Sequence, residues 1–218
     1  MKIFIDFDDV IFNMKRFKRD LIAVFRQNGI NRQEFDNSYY TFSKRAQAEG
    51  KNYDPKKQIK VLKKRFDIDK KKLEKDLDHF LADLSGYVFP DVKKFLSLFP
   101  KKDLFLITYG HVVFQKKKIK NSGMSGYFRK ILISKDNKID IIVETCRRNG
   151  FLADEEDIIM IDDRPEQLER AEEAEKRIKT FRLCRPEGRY SDLICMDKDW
   201  EVKNLKEVAK IISEERMK

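Results

Sequence analysis

Lys2-Ile3-Phe4-Ile5-Asp6-Phe7-Asp8-Asp9-Val10 is the stretch whose reading decides the fold. The apolar run ahead of the acids is too short for a helix and rich in β-branched and aromatic residues, so it reads as a buried strand. Three carboxylates follow where that strand ends. Along an extended backbone Asp6 and Asp8 project to one side and Phe7 to the other, so two acids converge while the aromatic packs away. Such a pair binds a cation, shares a proton or reacts.

From Asn13 the period changes to that of a helix: Phe17, Leu21, Val24 and Phe25 recur on one face, and Gly29 stands at the C-terminal cap. Residues 31–52 are polar and aromatic, with Phe35, Tyr39, Tyr40 and Phe42 but no strand alternation, and read as helix. Asp54-Pro55 is an N-cap with proline at the first helical position, ahead of Ile59, Leu62 and Phe66. Leu73, Leu77, Phe80, Leu81 and Leu84 form one more apolar stripe before Gly86. Residues 15–87 therefore predict an all-helical, lysine-rich block.

Beyond Tyr87 helices and strands alternate. Pro90 and Asp91 open a helix carrying Val92, Phe95, Leu96 and Phe99; Leu104 to Ile107 is a second buried strand, and Ile131 to Ile133 a third. A helix with Ile139, Ile142, Val143 and Cys146 follows and closes at Gly150. Ile158 to Ile161 is the fourth strand, Arg164-Pro165 starts the next helix with Leu168 and Ala171, and Lys179 to Leu183 is a weaker fifth strand. A helix with Leu205, Val208, Ile211 and Ile212 ends the series. Near-continuous apolar strands alternating with helices imply an α/β fold, a doubly wound parallel sheet covered on both faces.

In such sheets ligands bind beyond the carboxyl ends of the strands. Strand one ends in Asp6 and Asp8, strand two in Thr108, Tyr109 and Gly110, and strand four in Asp162 and Asp163. Strand three leads through Ser134, Lys135, Asp136 and Asn137 to Lys138. Carboxylates with Mg²⁺ make a site for phosphate, because the ion prefers oxygen ligands and keeps waters that a phosphate oxygen replaces. A carboxylate attacks phosphorus, a second acid protonates the leaving group, and a hydroxyl and a lysine stabilise the equatorial oxygens. Together these residue types point to phosphoryl transfer.

The chain resembles the haloacid dehalogenase-like (HAD) superfamily, and within it the phosphatases. The family's first motif, an apolar strand followed by Asp-x-Asp-x-Val/Thr, is matched by Ile3 to Val10; its second, a strand ending in Thr or Ser, by Leu106-Ile107-Thr108. Its third, a basic residue ahead of a helix, is matched by Lys138, with Lys135 in reserve, and its fourth by Ile161-Asp162-Asp163. The resemblance covers residues 1–12 and about 88–185. It implies a core of residues 1–14 and 88–218 with residues 15–87 inserted as a helical cap that closes over the site. It further implies Asp6 as nucleophile and Mg²⁺ ligand, and Asp8 as general acid/base whose backbone carbonyl meets the metal. Asp163, with Asp162 as the other candidate, would be a further metal ligand, and Thr108 and Lys138 would bind phosphate. Dehalogenases of this family generally lack the second acid, and Asp8 is present. Many members carry another acid about four positions into the fourth motif, where this chain has Gln167 beside Glu166.

Composition bounds the rest. The 218 residues suffice for one large domain or a core with an inserted module. A net charge of +10 with 39% charged residues reads chiefly as a solvated surface, including Lys116-Lys117-Lys118, with anion steering as the lesser role. Cys146, Cys184 and Cys195 read as reduced thiols in a cytoplasmic protein, and no leader or membrane-spanning run is visible. His111, His79, Trp200 and the tyrosines read as structural, Gly188 as a turn, and Asp9 as capping or solvating its turn. The expected substrate is a small phosphorylated metabolite or nucleotide; a nucleic-acid end and a non-catalytic regulatory protein on the same scaffold are alternatives. A receiver-type signalling module fits worse, because a second acidic pair follows the lysine.

Overall fold

The computed structural model describes residues 1–39, 53–134, 137–153, 157–196 and 198–215. Tyr40 and Phe42 of the aromatic segment, and Lys135, lie outside them. Among the described residues six strands form a single parallel sheet: β1 (Lys2–Ile5), β2 (Leu104–Tyr109), β3 (Lys130–Ser134), β4 (Ile158–Asp162), β5 (Ile178–Leu183) and β6 (Trp200–Val202). Their order across the sheet is β3-β2-β1-β4-β5-β6, so β1 lies in the interior, hydrogen-bonded to β2 on one side and β4 on the other. The chain winds outward in both directions from that point. The crevice beyond the carboxyl end of β1 is therefore the place where the strand order reverses.

Alternation along β1 divides the core into two layers. Ile3 and Ile5 join Leu104, Leu106, Ile159 and Ile161 on one face, which helices Val92–Leu96 and Leu205–Glu215 cover through Val92, Phe95, Leu205 and Val208. Phe4 joins Phe105, Ile107, Ile158 and Met160 on the other, under Ile139 and Ile142 of helix Lys138–Arg148 and Leu168 and Ala171 of helix Pro165–Ala174. Phe4 and Phe105 stack at 4.8 Å, and truncating such a buried aromatic to alanine costs about 3–5 kcal/mol.

Between β1 and β2 the elements among the described residues are helices joined by turns. Helix Met14–Gln27 is capped by the Asn13 side chain, which accepts from Arg16 N, and is left through Gly29 at φ 84°. Residues 32–39 are helical. Asp54 caps helix Pro55–Lys63 through Lys56 N, and Asp69 caps helix Lys70–Phe80 through Lys72 N. The last two helices are shorter than their apolar stripes: Phe66 lies past the end of the first, and Leu81 and Leu84 lie past the end of the second, yet Leu81 and Leu84 are buried. Ring contacts from Phe7 to Phe12, Phe12 to Phe17 and Phe17 to Phe80 tie these helices to the end of β1.

Strand β6 is not foreseen from the sequence. Three residues are too few to show a period, and Trp200, expected to pack, does so by stacking on Phe181 at 4.6 Å while its backbone pairs with β5. The three cysteines are free thiols. No helix among the described residues is long and apolar enough to cross a membrane.

Candidate active site

Asp6 follows the last residue of β1, and its backbone N–H donates to Ile161 O of β4 at 2.9 Å. Lys138 opens the helix after β3, where Asn137 caps by accepting from Ile139 N. Its ammonium lies 2.6 Å from Asp162 Oδ2 and 3.0 Å from Asp6 Oδ1, and all three side chains are buried. Asp162 is satisfied on its other oxygen by Arg164 N at 3.0 Å. Asp163 is not: both of its carboxylate oxygens are buried without a hydrogen-bond partner among the described residues.

Asp6, Asp162 and Asp163 thus bring ligand oxygens within 4.8 Å of one another, with Lys138 beside the first two. Burial drives the Asp6 carboxyl up to about 7 against the pull of Lys138, with Asp162 and Asp8 adding to the rise. Burial likewise raises Asp163 well above the carboxylate range, reinforced by the charges of Asp162 and Asp6. An unpaired buried carboxylate is costly and demands a counter-charge. Three hard oxygen donors with one bare member fit Mg²⁺, which keeps open positions for water or phosphate.

Asp8 sits in a different setting. Lys118 Nζ lies 2.6 Å from its Oδ1, and Gln115 Nε2 lies 3.0 Å from its Oδ2. Burial alone would raise the Asp8 carboxyl, but the Lys118 and Arg189 charges overcome it and hold it below the usual value. Thr108, the buried residue near the end of β2, is 3.2 Å from the same Gln115 amide. The candidate residues therefore fall into two groups, Asp6, Asp162, Asp163 and Lys138 in one, and Asp8 and Thr108 joined through Gln115 in the other.

Asp9 bears out one of the two roles read for it and not the other. It does cap, accepting from Met14 N at 3.1 Å, but it is fully buried and not solvated, because Arg189 reaches it from the loop after β5. It also holds φ 62°, a left-handed conformation that aspartate tolerates better than most residues. Lys118 is the second correction. The lysine run reads as a solvated face, yet one turn of helix Val112–Asn121 points Lys118 inward while Lys117 reaches Asp78 at the surface. The charged pattern of the run hides the apolar surround that Lys118 enters.

Gln115, Lys118, Arg189 and Asp9 are the site residues missed from sequence. A lysine at the same helical face as Phe114 was the available signal. Gln167, where an acid was expected, is buried with its Oε1 unpartnered, and Glu166 turns to Arg164. A cavity of about 140 Å³ opens at Asp8 between Tyr39, Tyr53, Tyr109 and His111, residues otherwise read as structural. A larger cleft of about 780 Å³ adjoins it, sharing Met14, Tyr39 and Arg189 but none of the acids.

No family model matches the sequence, and no curated protein does. Solved structures do. A haloacid dehalogenase-like hydrolase from Burkholderia xenovorans LB400 aligns with TM-score 0.69 at 18% identity over 95% of this chain and 96% of its own. An L-2-haloacid dehalogenase aligns with TM-score 0.68 at 16% identity over 97% and 98%. The HAD-hydrolase YfnB from Bacillus subtilis, bound to magnesium, aligns with TM-score 0.62 at 18% identity over 97% of each. Aligned with these structures over nearly its whole length, the chain has the fold of the haloacid dehalogenase-like hydrolases.

Proposed function

We propose that this protein is a Mg²⁺-dependent phosphomonoester hydrolase that acts on a small phosphorylated metabolite or nucleotide through an aspartyl-phosphate on Asp6. The observation that carries the reading is the division of the two acids. Asp6 stands with the bare Asp163 carboxylate and Lys138, whereas Asp8, two residues on, stands apart with its own cation. A nucleophile beside a metal and a separate acid/base are what hydrolysis of a phosphate ester requires.

Asp6 and Asp163 would hold the ion, with Asp162 fixing Lys138 and so less free to ligate. Bound there, Mg²⁺ supplies positive charge to the phosphoryl oxygens. An Asp6 oxygen forms a bond to phosphorus as the bond to the leaving oxygen breaks, and Asp8 gives that oxygen its proton. Asp8 then takes a proton from water as the water oxygen attacks phosphorus, which frees phosphate and restores the Asp6 carboxylate. Lys138 and the Thr108 hydroxyl would bear on the transferring group. Residues 15–87 would form a cap, placing Tyr39 and Tyr53 over the cavity at Asp8.

A panel of sugar phosphates, nucleotides, flavin mononucleotide and phosphorylated DNA ends, assayed with Mg²⁺ and with chelator, tests the reading. Metal-dependent release of phosphate from at least one supports it, and release unaffected by chelator overturns it. A nucleic-acid-end phosphatase is the second reading. It is favoured by the 780 Å³ cleft beside the cavity, which is lined by Lys15, Arg16, Lys18, Arg19 and Arg32 against the single acid Glu187.

A further inference from the structure

Lysine is almost never buried unless a partner requires it there. Lys118 is 2% exposed at its side chain, and its ammonium sits 5.4–5.9 Å from the ring centres of Phe7, Phe12, Phe17 and Phe114. Four rings and the Met14 sulfur at 3.5 Å make a pocket that an apolar side chain would fill without the cost of desolvating a charge. Among the described residues the carboxylate it bonds in that pocket is Asp8, at 2.6 Å.

Gln115 lies one turn earlier on the same helix face and takes the other oxygen of the same carboxylate. Its amide is itself anchored, 2.8 Å from Tyr109 O and 3.2 Å from Thr108 Oγ1 at the end of β2. The close fit extends to Gly110. A Cβ there would lie 3.0 Å from Gln115 Cγ, and the residue holds φ 146°, so glycine leaves the space in which Gln115 reaches Asp8.

We infer that Lys118 and Gln115 are positioning residues for Asp8, fixing both oxygens of its carboxylate so that its proton is delivered to, and recovered from, the reacting oxygen. The inference rests on the phosphatase reading and adds to it. An acid/base acts only within hydrogen-bond reach of the proton it moves. One helix supplies two donors at different oxygens, which sets the carboxylate plane and its distance from the scissile bond.

The test compares two esters in wild type, Lys118→Met and Gln115→Met: an alkyl phosphate, whose leaving oxygen must be protonated, and p-nitrophenyl phosphate, whose leaving oxygen departs without a proton. Lys118→Met suits its ring-lined pocket, and Gln115→Met leaves the buried charge pair in place should the first variant fail to fold. The expected result is a loss of kcat/KM of about 100-fold for the alkyl ester and less than about 10-fold for the aryl ester, with Gln115→Met following in the same direction by a smaller factor. Equal losses on the two esters, or no loss on either, overturn the inference while leaving the phosphatase reading intact. Wild-type protein that hydrolyses neither ester with Mg²⁺ overturns the phosphatase reading, and this assignment with it.

Discussion

The carboxylates of Asp6 and Asp8 are two residues apart in sequence and opposite in electrostatic setting. Around Asp6 three buried acids cluster, Lys138 pairs with Asp6 and Asp162 but not with Asp163, and the Asp6 and Asp163 carboxyls are held high. Around Asp8 two acids meet two cations, Asp8 with Lys118 and Asp9 with Arg189, and the Asp8 carboxyl is held low. The first group lacks positive charge and the second has it in full. Under the proposed function, that difference favours a metal on the Asp6 side and Asp8 for proton transfer, because a cation placed by Asp8 would meet charges already balanced.

The assignment breaks most sharply at Asp6. Asp6→Asn removes the attacking oxygen and is expected to lower kcat at least about 10⁴-fold while the far-ultraviolet circular dichroism spectrum stays that of the wild type. Asp8→Asn keeps the Lys118 side of the pocket filled but moves no proton; the expected loss is about 10²–10⁴-fold, measured as kcat on an alkyl phosphate.

Thermal unfolding without metal sharpens the same contrast. The folded state raises the Asp6 carboxyl to about 7, so it holds that proton more tightly than the unfolded chain does. The contribution is complete below about pH 4 and is lost as pH climbs through about 7. Metal-free protein is therefore expected to lose Tm across that window, and saturating Mg²⁺ to restore about 5–10 °C at pH 8 and little at pH 5. Asp163→Asn is expected to reduce the Mg²⁺ effect. The smallest effect concerns the cleft beside the Asp8 cavity. Lys15→Gln with Arg19→Gln is expected to cost a few-fold in kcat/KM on a phosphorylated oligonucleotide, with a weaker salt dependence, and nothing on p-nitrophenyl phosphate.

Much of this architecture was legible because it rests on short, strong local signals. Ile3 to Ile5 and Ile158 to Ile161 are apolar runs that only a buried strand explains, and the acids after them mark strand ends in a parallel sheet. Asp54 sits where a cap belongs, ahead of Pro55 and the periodic stripe it opens, and the period changes at Asn13, which caps the first helix. What stayed hidden depends on contacts distant in sequence. Lys118 looks solvated within Lys116-Lys117-Lys118 until Phe7, Phe12 and Phe17 arrive from the other end of the chain. Arg189 reaches Asp9 across 180 positions, and no local pattern announces it. Strand β6 is too short to carry a period, and it exists because β5 offers an edge and Phe181 a ring for Trp200.

The central claim is that Asp6 forms a covalent bond to phosphorus with a metal at its side. The most direct measurement is phosphate release from p-nitrophenyl phosphate by wild type and Asp6→Asn, each with Mg²⁺ and with chelator. The account predicts turnover in wild type with Mg²⁺ and in none of the other three. Turnover that persists in Asp6→Asn or in chelator, or chloride release from a 2-haloacid by a wild type inactive on the phosphate ester, would contradict it.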